Sequence, residues 1–149
     1  MAIVVSSCLI AACGGASPPA TPFRAVASTK QLMQAIVDPA ADEVWEAVGS
    51  VMTASGTSEI APHSDEEWAT VQNSALALAE SGNLLLMPGR AGGNDEWIKL
   101  SRQLIDLGEK TSKAAEAKDT AAVFDLGAEI YDVCTNCHRQ FNQAQQPAK

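Results

Sequence analysis

Apolar residues recur at three- and four-residue spacing through most of the chain, the signature of helices that bury one face. After Ser28, a candidate N-cap, Leu32, Met33, Ile36 and Val37 follow that spacing. Pro39 interrupts the run, but Asp38-Pro39 is itself a good cap and first-turn pair, and Val44, Trp45, Val48 and Val51 carry the stripe on. The pattern predicts one long helix over residues 28–54, bent at Pro39. A loop is expected from Ser55 to His63.

Ser64 and Glu67 then form a capping box, and Trp68, Val71, Ala75, Leu78 and Ala79 mark the buried face of a second helix running to about Ser81. Gly82-Asn83 is expected to end or disturb it, leaving Leu84 to Met87 as an apolar patch and Pro88 to Gly93 as a loop. Asn94 caps a third helix, with Trp97, Leu100, Leu104, Leu107 and Gly108 as its core stripe and an end near Ala117. Asp119 or Thr120 caps a fourth, where Val123, Leu126, Ile130, Val133, Cys137 and Phe141 share a face. No strand pattern competes. Four such helices with short connections predict an all-α fold, an antiparallel up-down-up-down four-helix bundle over residues 28–142, followed by a polar tail at 143–149.

The first residues follow a different rule. Ala2 to Ala12 is uncharged and mostly apolar, and it ends in Ile10-Ala11-Ala12-Cys13. This resembles the lipobox of bacterial lipoproteins, although no Lys or Arg precedes the apolar run. The resemblance implies a signal peptide at residues 1–12, lipidation at Cys13 and a periplasmic, membrane-anchored protein. Residues 13–27, rich in Gly, Pro, Ala and Ser, then read as a tether.

Composition narrows the class. Of 149 residues, 46% are hydrophobic and only 5% aromatic, which suits one Ala/Leu-rich helical domain. A net charge of −8 argues against nucleic acid or anionic lipid as a partner and permits a basic redox protein. The apolar helix faces carry few ionisable groups, so a carrier or binding protein is expected rather than an enzyme.

The chemistry is concentrated in Cys134-Thr135-Asn136-Cys137-His138, the C-x-x-C-H pattern of covalent haem attachment. On a helix, positions three and four apart share a face. Both sulfurs can therefore reach the vinyl groups of one porphyrin while His138 presents a nitrogen to the iron. A thiol-redox C-x-x-C belongs at a helix N-terminus, where the dipole lowers the thiol pKa; this one follows a long helical pattern. A structural zinc site wants four ligands, and the other candidates are His63 and the leader cysteines Cys8 and Cys13.

A four-helix pattern with C-x-x-C-H near the end of the last helix resembles cytochrome c′ and its relatives, the class II cytochromes c. The resemblance covers about residues 28–142 and includes the aromatic Trp97 early in the third helix. It implies one haem c buried among the helices near the C-terminal end of the last helix. Cys134 and Cys137 would form the thioethers, with His138 as the proximal ligand. Where the family commonly has an aromatic followed by Arg, Phe141 is followed here by Asn142, with Arg139 upstream.

Alternating helix direction places Met33, Met87 and Arg90 at the haem pole. It sends Met52 and His63 to the other, roughly 25–30 Å away at about 1.5 Å per residue. Met33 is the candidate distal iron ligand, Met87 its rival, and Arg90 the candidate partner of a haem propionate. Trp45, Trp68 and Trp97 are expected in the core. The function implied is one-electron transfer to a redox partner protein, with binding of nitric oxide or carbon monoxide at an open distal site as the alternative. A homodimer is a further expectation.

Overall fold

The computed structural model describes residues 23–142; Cys13, the rest of the leader and the polar tail lie outside them. The described chain is mostly helical, with one small two-stranded sheet. Helix α1 (Thr29–Leu32) passes directly into a π-helical turn (Met33–Val37) and then into α2 (Asp38–Ala47). The hairpin β1 (Gly49–Thr53) and β2 (Gly56–Ile60) follows, and α3 (Asp65–Leu85), α4 (Asp95–Glu116) and α5 (Thr120–Phe141) complete the fold. No described helix is long and apolar enough to cross a membrane.

Helix α2 continues from the π turn without a side-chain cap, and the other four helices start where a polar side chain can satisfy their first amides. Ser28 and Gln31 form one reciprocal capping box and Ser64 and Glu67 another. Asn94 accepts from the Trp97 amide at 3.0 Å, and Asp119 from the Ala122 amide at 3.0 Å. Lys118, at φ 57°, reverses the chain between α4 and α5. Its ammonium pairs with Asp65 at the start of α3.

The expected length of the first helix fails for a physical reason. The first helix stops at Ala47, because Val48 is extended and the chain enters the hairpin. Residues 55–63 are therefore not one loop, and Val51, expected to extend the buried stripe, sits on β1 and is exposed with Met52. Just before Pro39 the helix holds a π turn, in which the Asp38 amide donates to the Met33 carbonyl five residues back. Proline brings no amide to the next bond and its ring crowds the preceding turn. A wider turn just upstream accommodates both.

Gly82 does not end α3. Helix α3 continues to Leu85, and Gly82 is instead a packing position. A Cβ there would lie 2.5 Å from Ile105 Cγ1 and 2.7 Å from the Ser101 carbonyl. A Cβ at Gly108 would lie 2.6 Å from the Ala79 amide nitrogen and 2.7 Å from the Ala75 carbonyl. These two glycines let α3 and α4 approach closely while running in opposite directions. Leu78, Ala75 and Val71 on α3, Leu104 on α4, Val123 and Ile130 on α5 and Val44 on α2 fill the core.

A contrast between glycines follows. Gly108→Ala gains about 1 kcal/mol of helix propensity but drives backbone into backbone, an overpacking that costs typically 1–3 kcal/mol. A net loss of thermal stability is expected. At Gly127 the added Cβ meets only Trp45 Cδ1 at 3.4 Å, so Gly127→Ala should leave the melting temperature unchanged or higher. Equal melting temperatures for the two variants would contradict the close approach.

Candidate functional site

The final turns of α5 carry Cys134, Cys137 and His138, all half-buried, onto the lining of one cavity of about 520 Å³. Helical spacing brings the three side chains together. The opposite wall comes from the first helical segment and α2, through Met33, Val37, Asp38, Ala41 and Trp45. Leu85, Leu100 and Leu104 close it from α3 and α4. A second cavity of about 440 Å³ adjoins and shares Met33, Asp38, Cys137 and His138. Cofactor sites typically occupy about 300–1,000 Å³ with mostly apolar walls and a few polar groups. Both the size and the chemistry of this space match that description.

Met33 opens the π turn and lines both cavities. Such turns inside α-helices often mark functional sites, because the inserted residue shifts every side chain upstream of it around the helix axis. Met87 lies on neither lining. Its sulfur instead faces the Arg90 guanidinium, with Nη1 at 3.3 Å.

Arg90 is held by backbone carbonyls. Its Nη1 donates to the Leu84 carbonyl and its Nη2 to the Ala27 carbonyl, each at 2.8 Å. It is half-buried and lines neither cavity. Two carbonyls hold the guanidinium, so it ties the segment before α1 to the end of α3. An Ala27 carbonyl on a bare chain offered no pattern to find in the sequence.

Two of the three tryptophans are half-buried: they pack against the core as expected and also line the cavities. Trp45 lines the larger one, donates from Nε1 to the Gly127 carbonyl at 2.9 Å and meets Tyr131 edge-on at 5.9 Å. Trp97 lines the smaller one, donates from Nε1 to the Leu85 carbonyl at 2.8 Å and meets Phe141 edge-on at 5.1 Å. Trp68 is buried as expected. His63 borders a separate depression beside Glu67, away from the cysteines.

Neither cysteine is in a disulfide. Burial, then the neighbouring Cys137 and Asp38, pushes the Cys134 thiol up to about 11 from an ordinary 9.0. Burial also raises the Cys137 thiol. Both are protonated at neutral pH, the reverse of an activated redox thiol. In haem-free protein, iodoacetamide should alkylate Cys134 slowly at neutral pH, with the rate climbing as the pH approaches about 11. Rapid alkylation at neutral pH would contradict this environment. Among the described residues there is no cluster of three or more His, Cys, Asp and Glu side chains that could hold a metal ion.

No protein-family model, curated protein or solved structure matches the chain significantly. The functional reading therefore stands on the site itself.

Proposed function

We propose that the protein is a c-type cytochrome that carries single electrons on one covalently held haem. The observation that carries this reading is the joint placement of Cys134, Cys137 and His138 on one largely apolar cavity, with the Met33 side chain on its lining. Haem supplies a one-electron iron couple whose potential depends on axial ligands and burial.

The chain's own residues have distinct tasks. Cys134 and Cys137 would hold the cofactor through thioethers to its vinyl groups. His138 offers its imidazole as proximal ligand, and Met33 is the candidate on the distal side. Val37, Ala41, Leu85, Leu100 and Leu104 exclude water. The close antiparallel pairing of α3 and α4, and the meeting of Trp97 with Phe141 across α4 and α5, support an up-down-up-down bundle as the frame. The lipobox-like leader, outside the described residues, extends the proposal to a periplasmic lipoprotein anchored through Cys13.

The test is covalent haem. Protein produced with cytochrome c maturation machinery should keep its colour through denaturing electrophoresis and acid–acetone extraction. Colour lost under either condition would sink the c-type reading.

A further inference from the structure

A shallow groove of about 350 Å³ lies between α2 and α5, lined by Val44, Trp45, Val48, Val123, Phe124 and Tyr131 among others. Trp45 and Tyr131 belong to this groove and to the cavity that holds Cys134, Cys137 and His138. The groove is thus continuous with the haem site. Phe124 is 58% exposed and Tyr131 59%, in a chain otherwise poor in aromatics. Contiguous exposed aromatics of this kind mark interaction sites on soluble domains.

One carboxylate lies on the groove and two more lie near the adjoining cavity on α2. Asp132 lines the groove, Asp38 lines the haem cavity, and Asp42 follows one turn after Asp38 on α2. All three are exposed. Two basic residues border the same region. Arg139 lies on the haem cavity with its guanidinium donating to Asn136 Oδ1 at 2.6 Å, and Lys30 lies on the adjoining cavity. Like Asp38 and Asp42, neither lines the groove, where Asp132 is the one charged residue.

We propose that the α2–α5 face is the docking surface for a redox partner protein that carries lysines or arginines around the edge of its own cofactor. The inference rests on the cytochrome reading above. Charge complementarity selects this occupant. An anionic membrane surface would be repelled by these carboxylates and by the net charge of −8. A second copy of the chain would bring the same carboxylates face to face. A basic partner instead gains steering from the carboxylates and apolar contact from Phe124 and Tyr131. Docked there, it lies beside the cavity wall, which suits electron exchange.

The test uses haem-loaded protein and a small basic monohaem cytochrome as probe. One electron leaves the ferrous iron of one protein and reduces the ferric iron of the other, in whichever direction is downhill. Stopped-flow absorbance gives the second-order rate constant at low and high ionic strength. The rate should fall with salt, and Asp42→Asn with Asp132→Asn should lower it roughly tenfold at low salt, the scale of electrostatic steering. Removing two charges on α4 instead, Glu109→Gln with Glu116→Gln, should change it little. Phe124→Ser should also slow the reaction, while reduction by a small neutral reagent stays the same in this variant and in both charge doubles.

Equal slowing by the two charge doubles would overturn the proposal, since net charge alone would then explain the steering. A homodimer in sedimentation that dissociates on Tyr131→Ser would overturn it too, because the face would belong to a second copy. Absence of bound haem would overturn the cytochrome reading and this inference together, and is recognised by the missing Soret band.

Discussion

Met33→Ala is expected to turn a low-spin haem protein that takes carbon monoxide poorly into a high-spin one that takes it readily. The expectation follows from placement. Met33 is on the lining of both cavities that His138 borders, and it begins the π turn. A thioether opposite the imidazole would give the iron two protein ligands in both oxidation states, which limits reorganisation and raises the reduction potential. Its loss leaves one axial position open. The spin state is read from the ferric spectrum and the ligand position from carbon monoxide difference spectra.

Met87→Ala is the paired control. Met87 lines neither cavity, and its sulfur faces Arg90, so that variant should keep the parent spectrum. Each change should cost stability in the ordinary range for shortening a partly buried side chain, about 1–2 kcal/mol. A parent protein that is already high-spin and binds carbon monoxide rapidly would remove Met33 from the iron and put gas binding ahead of electron transfer. A switch produced by Met87→Ala alone would show that the wrong sulfur had been chosen.

The sequence was most readable where a single rule acted alone. Caps at Ser28, Ser64, Asn94 and Asp119 depend on local hydrogen bonds, and all four form as the side chains predict. The stripe on α5 likewise put Cys134, Cys137 and His138 on one surface. It misled where the period had no tertiary partner. Val48 and Val51 fit the helical spacing, yet Val51 ends on an exposed strand. The hairpin buries no face, so no alternation of apolar and polar residues announces it; only the Ser55-Gly56 turn pair and the β-branched run around it hinted at a reversal.

Gly82 misled for the opposite reason. Glycine in a helical pattern reads as a terminus, but here Ile105 and the Ser101 carbonyl fill the space of its missing Cβ. Only the approach of α4 makes that choice sensible. The contacts of Arg90, Trp45 and Trp97 were hidden in the same way, since their partners, Ala27, Gly127 and Leu85, offer backbone carbonyls that any residue type could supply. Residue identity is silent about such contacts.

Replacing both Cys134 and Cys137 by alanine is expected to abolish covalent haem completely, the largest effect predicted for any change in the chain. Each thioether is a bond between one sulfur and one vinyl carbon, and no other described residue is a cysteine. The single variants separate the two bonds. With Cys134→Ala or Cys137→Ala, one vinyl stays unsaturated and conjugated with the ring, so the reduced bands should move to longer wavelength while haem still survives denaturation. His138→Gly should leave both thioethers in place but remove the proximal imidazole. Its spectrum should change on adding free imidazole, which can re-enter the vacated position. The helix itself should tolerate the cysteine changes, because alanine is the better helix former and both thiols are only half-buried. Circular dichroism therefore distinguishes lost attachment from lost folding. Covalent haem persisting in the double variant would mean that the cofactor is held elsewhere, and the assignment of the cavity would fall with it.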